Sequence, residues 1–121
     1  MEAGRDLDEQ IAGKVMGWRN IDWHFDRVWP GEQWLGGRAP WSGPDFDYGP
    51  VEEIPHYSTD ISATYQLLEF LAGKYDHVDC EYDCGRWICD IWTVERAYGH
   101  GEDKDSLMMA VCKAALETVD G

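Results

Sequence analysis

The apolar positions of this chain change period several times, and each change marks an element. Leu7, Ile11, Ala12, Val15 and Met16 recur at helical spacing, behind Asp6 with Glu9 as a capping-box pair and ahead of Gly17 as a stop, which predicts a helix over 7–16. From Ile21 the period becomes two. Ile21, Trp23 and Phe25 alternate with Asp22, His24 and Asp26, the signature of a half-buried strand over 21–29. Ile61, Tyr65, Leu68 and Ala72 then make one stripe of a helix over 59–72, with Gly73 where a left-handed C-cap belongs and Ser58 or Thr59 placed to cap the first free amides. Strict alternation returns from His77 to Asp83, Cys84-Gly85 fits a two-residue turn, and the chain comes back as the second strand of a 77–94 hairpin. In that register Tyr82 faces Trp87, Cys80 faces Cys89 and Val78 faces Ile91 on an apolar side. Asp83 with Arg86, Glu81 with Ile88, Asp79 with Asp90 and His77 with Trp92 share the other side, and a slip by one residue would mix the two. Tyr98-Gly99-His100-Gly101 reads as a flexible connection. Asp105 reads as the N-cap of a last helix over 106–119, whose stripe is Leu107, Met108, Val111, Cys112, Ala115, Leu116 and Val119.

These elements predict an α+β fold in one domain, 1–121: an α/β/α sandwich of three helices around a three- to four-stranded antiparallel sheet that contains the 77–94 hairpin. The stretch 30–57 breaks the regularity. It holds all five prolines of the chain, interleaved with Trp34, Trp41, Phe46 and Tyr48, so it is expected as a long aromatic loop with at most a short strand around Trp34. Loops of that length inside a small domain either bind something or are pinned by their own side chains.

Charge narrows the partners. With 24 acidic against 10 basic residues the formal net charge is −14, which argues against direct nucleic-acid binding and against anionic membranes. A basic protein surface, a cation or a small ligand in a local pocket all fit it. No apolar run reaches the length of a membrane span, and Met1-Glu2-Ala3-Gly4-Arg5 is too polar for a signal peptide, so a cytoplasmic location with reduced thiols is expected.

His77, Cys80, Cys84 and Cys89 supply metal-ligand types within a short span, but the hairpin register puts His77 on the face opposite Cys80 and Cys89 and leaves Cys84 in the turn. No metal and no cofactor is therefore expected. Sequence patterns of nucleophile elbows, HExxH zinc sites and phosphate loops are absent, so the chain is expected not to be an enzyme. Binding suits it better. Trp34 and Trp41 offer flat stacking area, Tyr57, Ser58 and Thr59 stand at a helix start that attracts anions, and Arg86 adds local positive charge. The same Ser and Thr serve equally as plain caps.

Three pieces resemble one family: Asp6-Leu7-Asp8 through Ala12-Gly13-Lys14-Val15-Met16-Gly17-Trp18, then Pro55-His56-Tyr57-Ser58-Thr59-Asp60-Ile61, then Ala110-Val111-Cys112-Lys113-Ala114-Ala115-Leu116. In that order and spacing they are similar to the phage ABA-sandwich domain proteins. The resemblance implies a small α/β/α sandwich encoded by a phage and made in the cytoplasm of a bacterial host, and it implies no activity. Joined to the residues above, it leads to a non-catalytic accessory protein that counters host defence by sequestering a small anionic nucleotide-like signal. The alternative is an acidic inhibitor that mimics nucleic-acid charge toward a basic host protein, with Asp79, Glu81, Asp83 and Asp90 as its patch. An exposed sheet edge and spare aromatics make a homo-oligomer the expected state.

Overall fold

A computed structural model of the chain describes residues 2–25, 33–39 and 51–120. Its centre is the last helix, α3 (Leu107–Asp120), in which Ala110, Val111, Cys112, Ala114 and Ala115 are fully buried. Small side chains around most of its girth let other layers approach it from opposite sides. The first helix, α1 (Arg5–Gln10), runs on into π-helical turns over Ile11–Met16 and lays Leu7, Ile11, Ala12, Val15 and Met16 into the same core. Those are the residues whose spacing predicted the helix. Gly17 ends it in the left-handed conformation, φ 85°. The capping box does not form: Gly4 occupies the N-cap, and no side chain bonds the first amides.

Among the described residues six strands make two antiparallel three-stranded sheets where one sheet of three or four was expected, so the α+β class stands while the strands divide. The first sheet is β1 (Arg19–Phe25), β2 (Gln33–Arg38) and the short β3 (Glu52–Glu53), in that order. Its β2 crosses the expected aromatic loop. The second is β4 (His77–Asp83), β5 (Arg86–Trp92) and β6 (Ala97–Asp103). In the hairpin every expected pair is found, from His77 with Trp92 to Asp83 with Arg86. The turn takes positive φ at both residues, 53° at Cys84 and 80° at Gly85, the geometry whose twist matches the flanking strands.

β6 is the main departure from the sequence pattern. Its glycines read as turn signals, yet both lie in a strand, with a shift of register just before Gly99, because α3 packs directly on them. A Cβ at Gly99 would sit 2.2 Å from the Ala114 carbonyl oxygen, and one at Gly101 would sit 2.1 Å from that of Ala110. Gly-x-Gly on the strand and Ala-x3-Ala on the helix are two halves of one contact.

The second helix, α2 (Ile61–Lys74), also buries a different side from the expected one. Ala63, Thr64, Leu67 and Leu71 face the core, and Thr64 anchors them by donating its hydroxyl to the carbonyls of Tyr57 (2.8 Å) and Asp60 (3.0 Å). Ile61 and Tyr65 of the predicted stripe are 58% and 61% exposed. The helix has two apolar stripes, and periodicity alone does not say which one turns inward. Gly73 lies within the helix, whose last amide bond runs from Tyr75 to Leu71.

Candidate functional site

The helix start at 54–60 is built around a buried carboxylate. Asp8, fully buried on α1, accepts from the Ser58 amide (2.8 Å) and the Ser58 hydroxyl (2.7 Å) through Oδ1, and from Arg5 Nη1 (2.9 Å) through Oδ2. Arg5 Nη2 reaches on to the Ile54 carbonyl at 2.7 Å, and the Gly4 amide donates to Ser58 Oγ at 2.9 Å. The donors that suit an anion do hold one, and it is the protein's own. Capping of α2 falls to Asp60, which accepts from the Ser62 amide at 3.2 Å, so neither Ser58 nor Thr59 is the cap.

Tyr57 is fully buried. Burial pushes its phenol up to about 12, an effect that the neighbouring Trp18 side chain opposes in part. Its carbonyl is also within 3.5 Å of Cys112 Sγ, a thiol that burial likewise raises to about 12. With Tyr57 and Ser58 enclosed, only Thr59 of the three stays exposed. Of the other expected binding residues, Trp34 is half-buried and stacks on His24 with ring centroids 4.7 Å apart, and Trp41 lies outside the described residues. Arg86 belongs to the second sheet, where it pairs with Glu102 at 3.6 Å and lines a cleft of about 510 Å³ with Lys104 and Lys113. Trp34, the stretch Tyr57-Ser58-Thr59 and Arg86 therefore stand on separate parts of the fold and do not line one pocket.

A different arrangement gathers the chemistry. On the outer face of the second sheet, alternation puts Asp79, Glu81 and Asp83 of β4 beside Asp90 of β5, and the β5–β6 register adds His100 opposite Asp90 and Glu102 opposite Ile88. His100 lies between two carboxylates, Nδ1 toward Asp90 and Nε2 3.0 Å from Glu102. Asp90 first and Glu102 second hold its imidazole above the ordinary histidine range. At one end His77 stacks on Trp92 (3.9 Å between centroids), and Trp92 Nε1 donates to Asp79 at 2.9 Å. The face is thus a field of surface carboxylates fixed on a rigid sheet, with Arg86 and His100 as partial counter-charges.

The patch of Asp79, Glu81, Asp83 and Asp90 was legible from the hairpin register. Glu102 and His100 were not, because β6 read as a loop. The signal that would have found them is the alternation of Gly99 and Gly101 with polar residues, set against the Ala110/Ala114 spacing of the following helix. On the inner face of the hairpin, the Sγ atoms of Cys80 and Cys89 lie 3.4 Å apart. That contact lowers Cys80 below the usual thiol range and, together with burial, raises Cys89.

No family model, curated protein or solved structure matches the chain. Among the described residues no helix is long and apolar enough to cross a membrane.

Proposed function

We propose that the protein is a non-catalytic accessory factor which presents the acidic outer face of the β4–β5–β6 sheet to a basic, nucleic-acid-binding surface of a host enzyme. One observation carries this reading: Asp79, Glu81, Asp83, Asp90 and Glu102 lie in register on one sheet face of a chain whose net charge is −14. Residues two apart on a strand are about 6.6–6.8 Å apart, and one strand of DNA rises about 3.4 Å per phosphate. Successive carboxylates on one strand are therefore spaced at about twice the axial rise per phosphate of one DNA strand. The setting in a phage and its host comes from the sequence resemblance described above.

The alternative of sequestering a nucleotide-like signal retains one supporting feature, the cleft lined by Arg86, Lys104 and Lys113, although Arg86 is paired with Glu102 and Lys113 with Asp103 in the same lining. It no longer has Tyr57 and Ser58, which are buried and engaged. One experiment separates the two readings. A fluorescent DNA duplex is held on an arginine-rich peptide at low salt, and the protein is added with and without a panel of nucleotides. Charge mimicry is expected to release the duplex, to fade as salt rises, and to ignore the nucleotides. A protein that leaves the duplex bound but gains thermal stability with a nucleotide would establish the second reading in its place.

A further inference from the structure

β4 is an edge strand, exposed along almost its whole length, and among the described residues it pairs on one side only. Because Asp83 and Arg86 flank a two-residue turn, Asp83, Glu81 and Asp79 occupy the positions that exchange hydrogen bonds with β5. The N–H and C=O groups of Val78, Cys80 and Tyr82 consequently point away from the sheet. Edges are usually blunted by charged side chains, above all lysine, by proline or by a bulge. β4 has no lysine or proline and pairs with β5 without a shift, so its blunting device is the row of carboxylates at Asp79, Glu81 and Asp83, which repels a strand of like charge and not a basic one.

Beside this edge lies the second apolar stripe of α2, of which Leu68 packs partly against the core while Tyr65 and Ala72 stay exposed. Tyr65, Leu68 and Ala72, with Glu69, face Val78 and Cys80 across a groove of about 360 Å³. Tyr82, farther along the inner face, is 59% exposed. An added strand would present one set of alternate side chains to this groove and the other set to the acidic face.

Charge selects the occupant. A second copy pairing through β4 in antiparallel fashion would bring Asp79, Glu81 and Asp83 against their own counterparts, and like charges across strands are destabilising. Resting on the acidic-face reading above for its polar half, we infer that the β4 edge accepts an extended segment of a basic partner as a fourth strand. Apolar residues at alternate positions of that segment enter the groove of Tyr65, Leu68, Ala72 and Val78. Lysine or arginine between them meets Asp79, Glu81 and Asp83. Main-chain bonds supply affinity, and the alternation supplies selectivity.

The test uses the full chain and two synthetic peptides as long as β4, one alternating valine and lysine, the other of the same composition with its lysines in one block. The alternating peptide is expected to bind at least about tenfold tighter. It should also slow hydrogen exchange at the amides of Val78, Cys80 and Tyr82. Ala72→Lys, which puts a cation into the groove at an exposed helical position, should remove the preference for the alternating peptide over the blocked one. Equal, salt-sensitive binding of both peptides without protection of those amides overturns the added strand and leaves the acidic face standing. Failure of both peptides to bind at low salt overturns the acidic-face reading, and this inference with it. Protection of the three amides in the protein alone, rising with its concentration, would show that a second copy takes the edge instead.

Discussion

Asp8 and the carboxylates of the outer sheet face are the same chemical group under opposite treatment. Asp8 is fully buried, and its oxygens are met by the Ser58 amide, the Ser58 hydroxyl and the Arg5 guanidinium. Asp79, Glu81 and Asp83 stand exposed on one strand, and the cations nearest their field, Arg86 and His100, are bonded to Glu102 and Asp90. A buried charge persists only with excellent partners, so the first arrangement is selected by folding. Crowded surface carboxylates repel one another and add little to stability, so the second calls for a reason outside folding. Where partners are complete the residue belongs to the architecture, and where like charges stand side by side on the surface we propose that it belongs to a face that meets a partner.

Mutation should separate the two groups most sharply at Asp8. Asp8→Ala strands the Arg5 charge and the Ser58 donors, at a cost of about 3–5 kcal/mol, whereas Glu81→Ala should stay within about 0.5 kcal/mol of the parent. Chemical denaturation measures both. A mild Asp8→Ala would remove the contrast. Next in size is Gly101→Ala, whose methyl has no room against α3. Overpacking of this kind costs about 1–3 kcal/mol, and here the obstacle is backbone at 2.1 Å, so the upper part of that range is expected.

Within the helix start, Ser58→Ala should cost about 1–3 kcal/mol by leaving a buried carboxylate short of a donor, and Thr59→Ala should be close to neutral. Equal effects would mean that the pair are ordinary caps after all.

Most of the fold could be read from the chain because its strongest patterns are local. The hairpin register, the α1 stripe, the Gly17 stop and the Val111, Cys112, Ala115 and Leu116 part of the α3 stripe each follow from one period or one residue type, while Ala110 and Ala114, buried against β6, and the exposed Val119 fall outside that reading. What could not be read depends on distant partners. Gly99 and Gly101 look like turn residues until α3 is laid on them. Ser58 looks like a cap until Asp8 arrives from fifty residues away in sequence. Ile61 and Tyr65 look like core until Thr64 turns the other stripe inward. For the candidate site the lesson is similar: the acidic face was visible as far as the hairpin reached, and its third strand was lost with β6.

The smallest effect is electrostatic and local. His100 titrates above the ordinary value of about 6.5 because Asp90 and Glu102 favour its cation. A raised folded-state value means the interaction stabilises the protein below the unfolded value and is lost as pH rises through the folded one. Nuclear magnetic resonance titration of the His100 ring should show this, and Asp90→Asn should bring the midpoint down. A midpoint unmoved by that change would place the imidazole outside the carboxylate pair.

The central claim, that position on the sheet face matters beyond net charge, is tested most directly by the salt dependence of binding to an oligolysine peptide. Two variants that lose equal charge are compared, Asp79→Asn/Glu81→Gln/Asp90→Asn on the face and Asp6→Asn/Glu9→Gln/Glu117→Gln at exposed positions off it. The slope of log Kd against log salt concentration should fall clearly for the face variant and stay near the parent value for the other, with both melting close to the parent. Equal slopes in the two variants would contradict the account and reduce the face to a share of the overall charge.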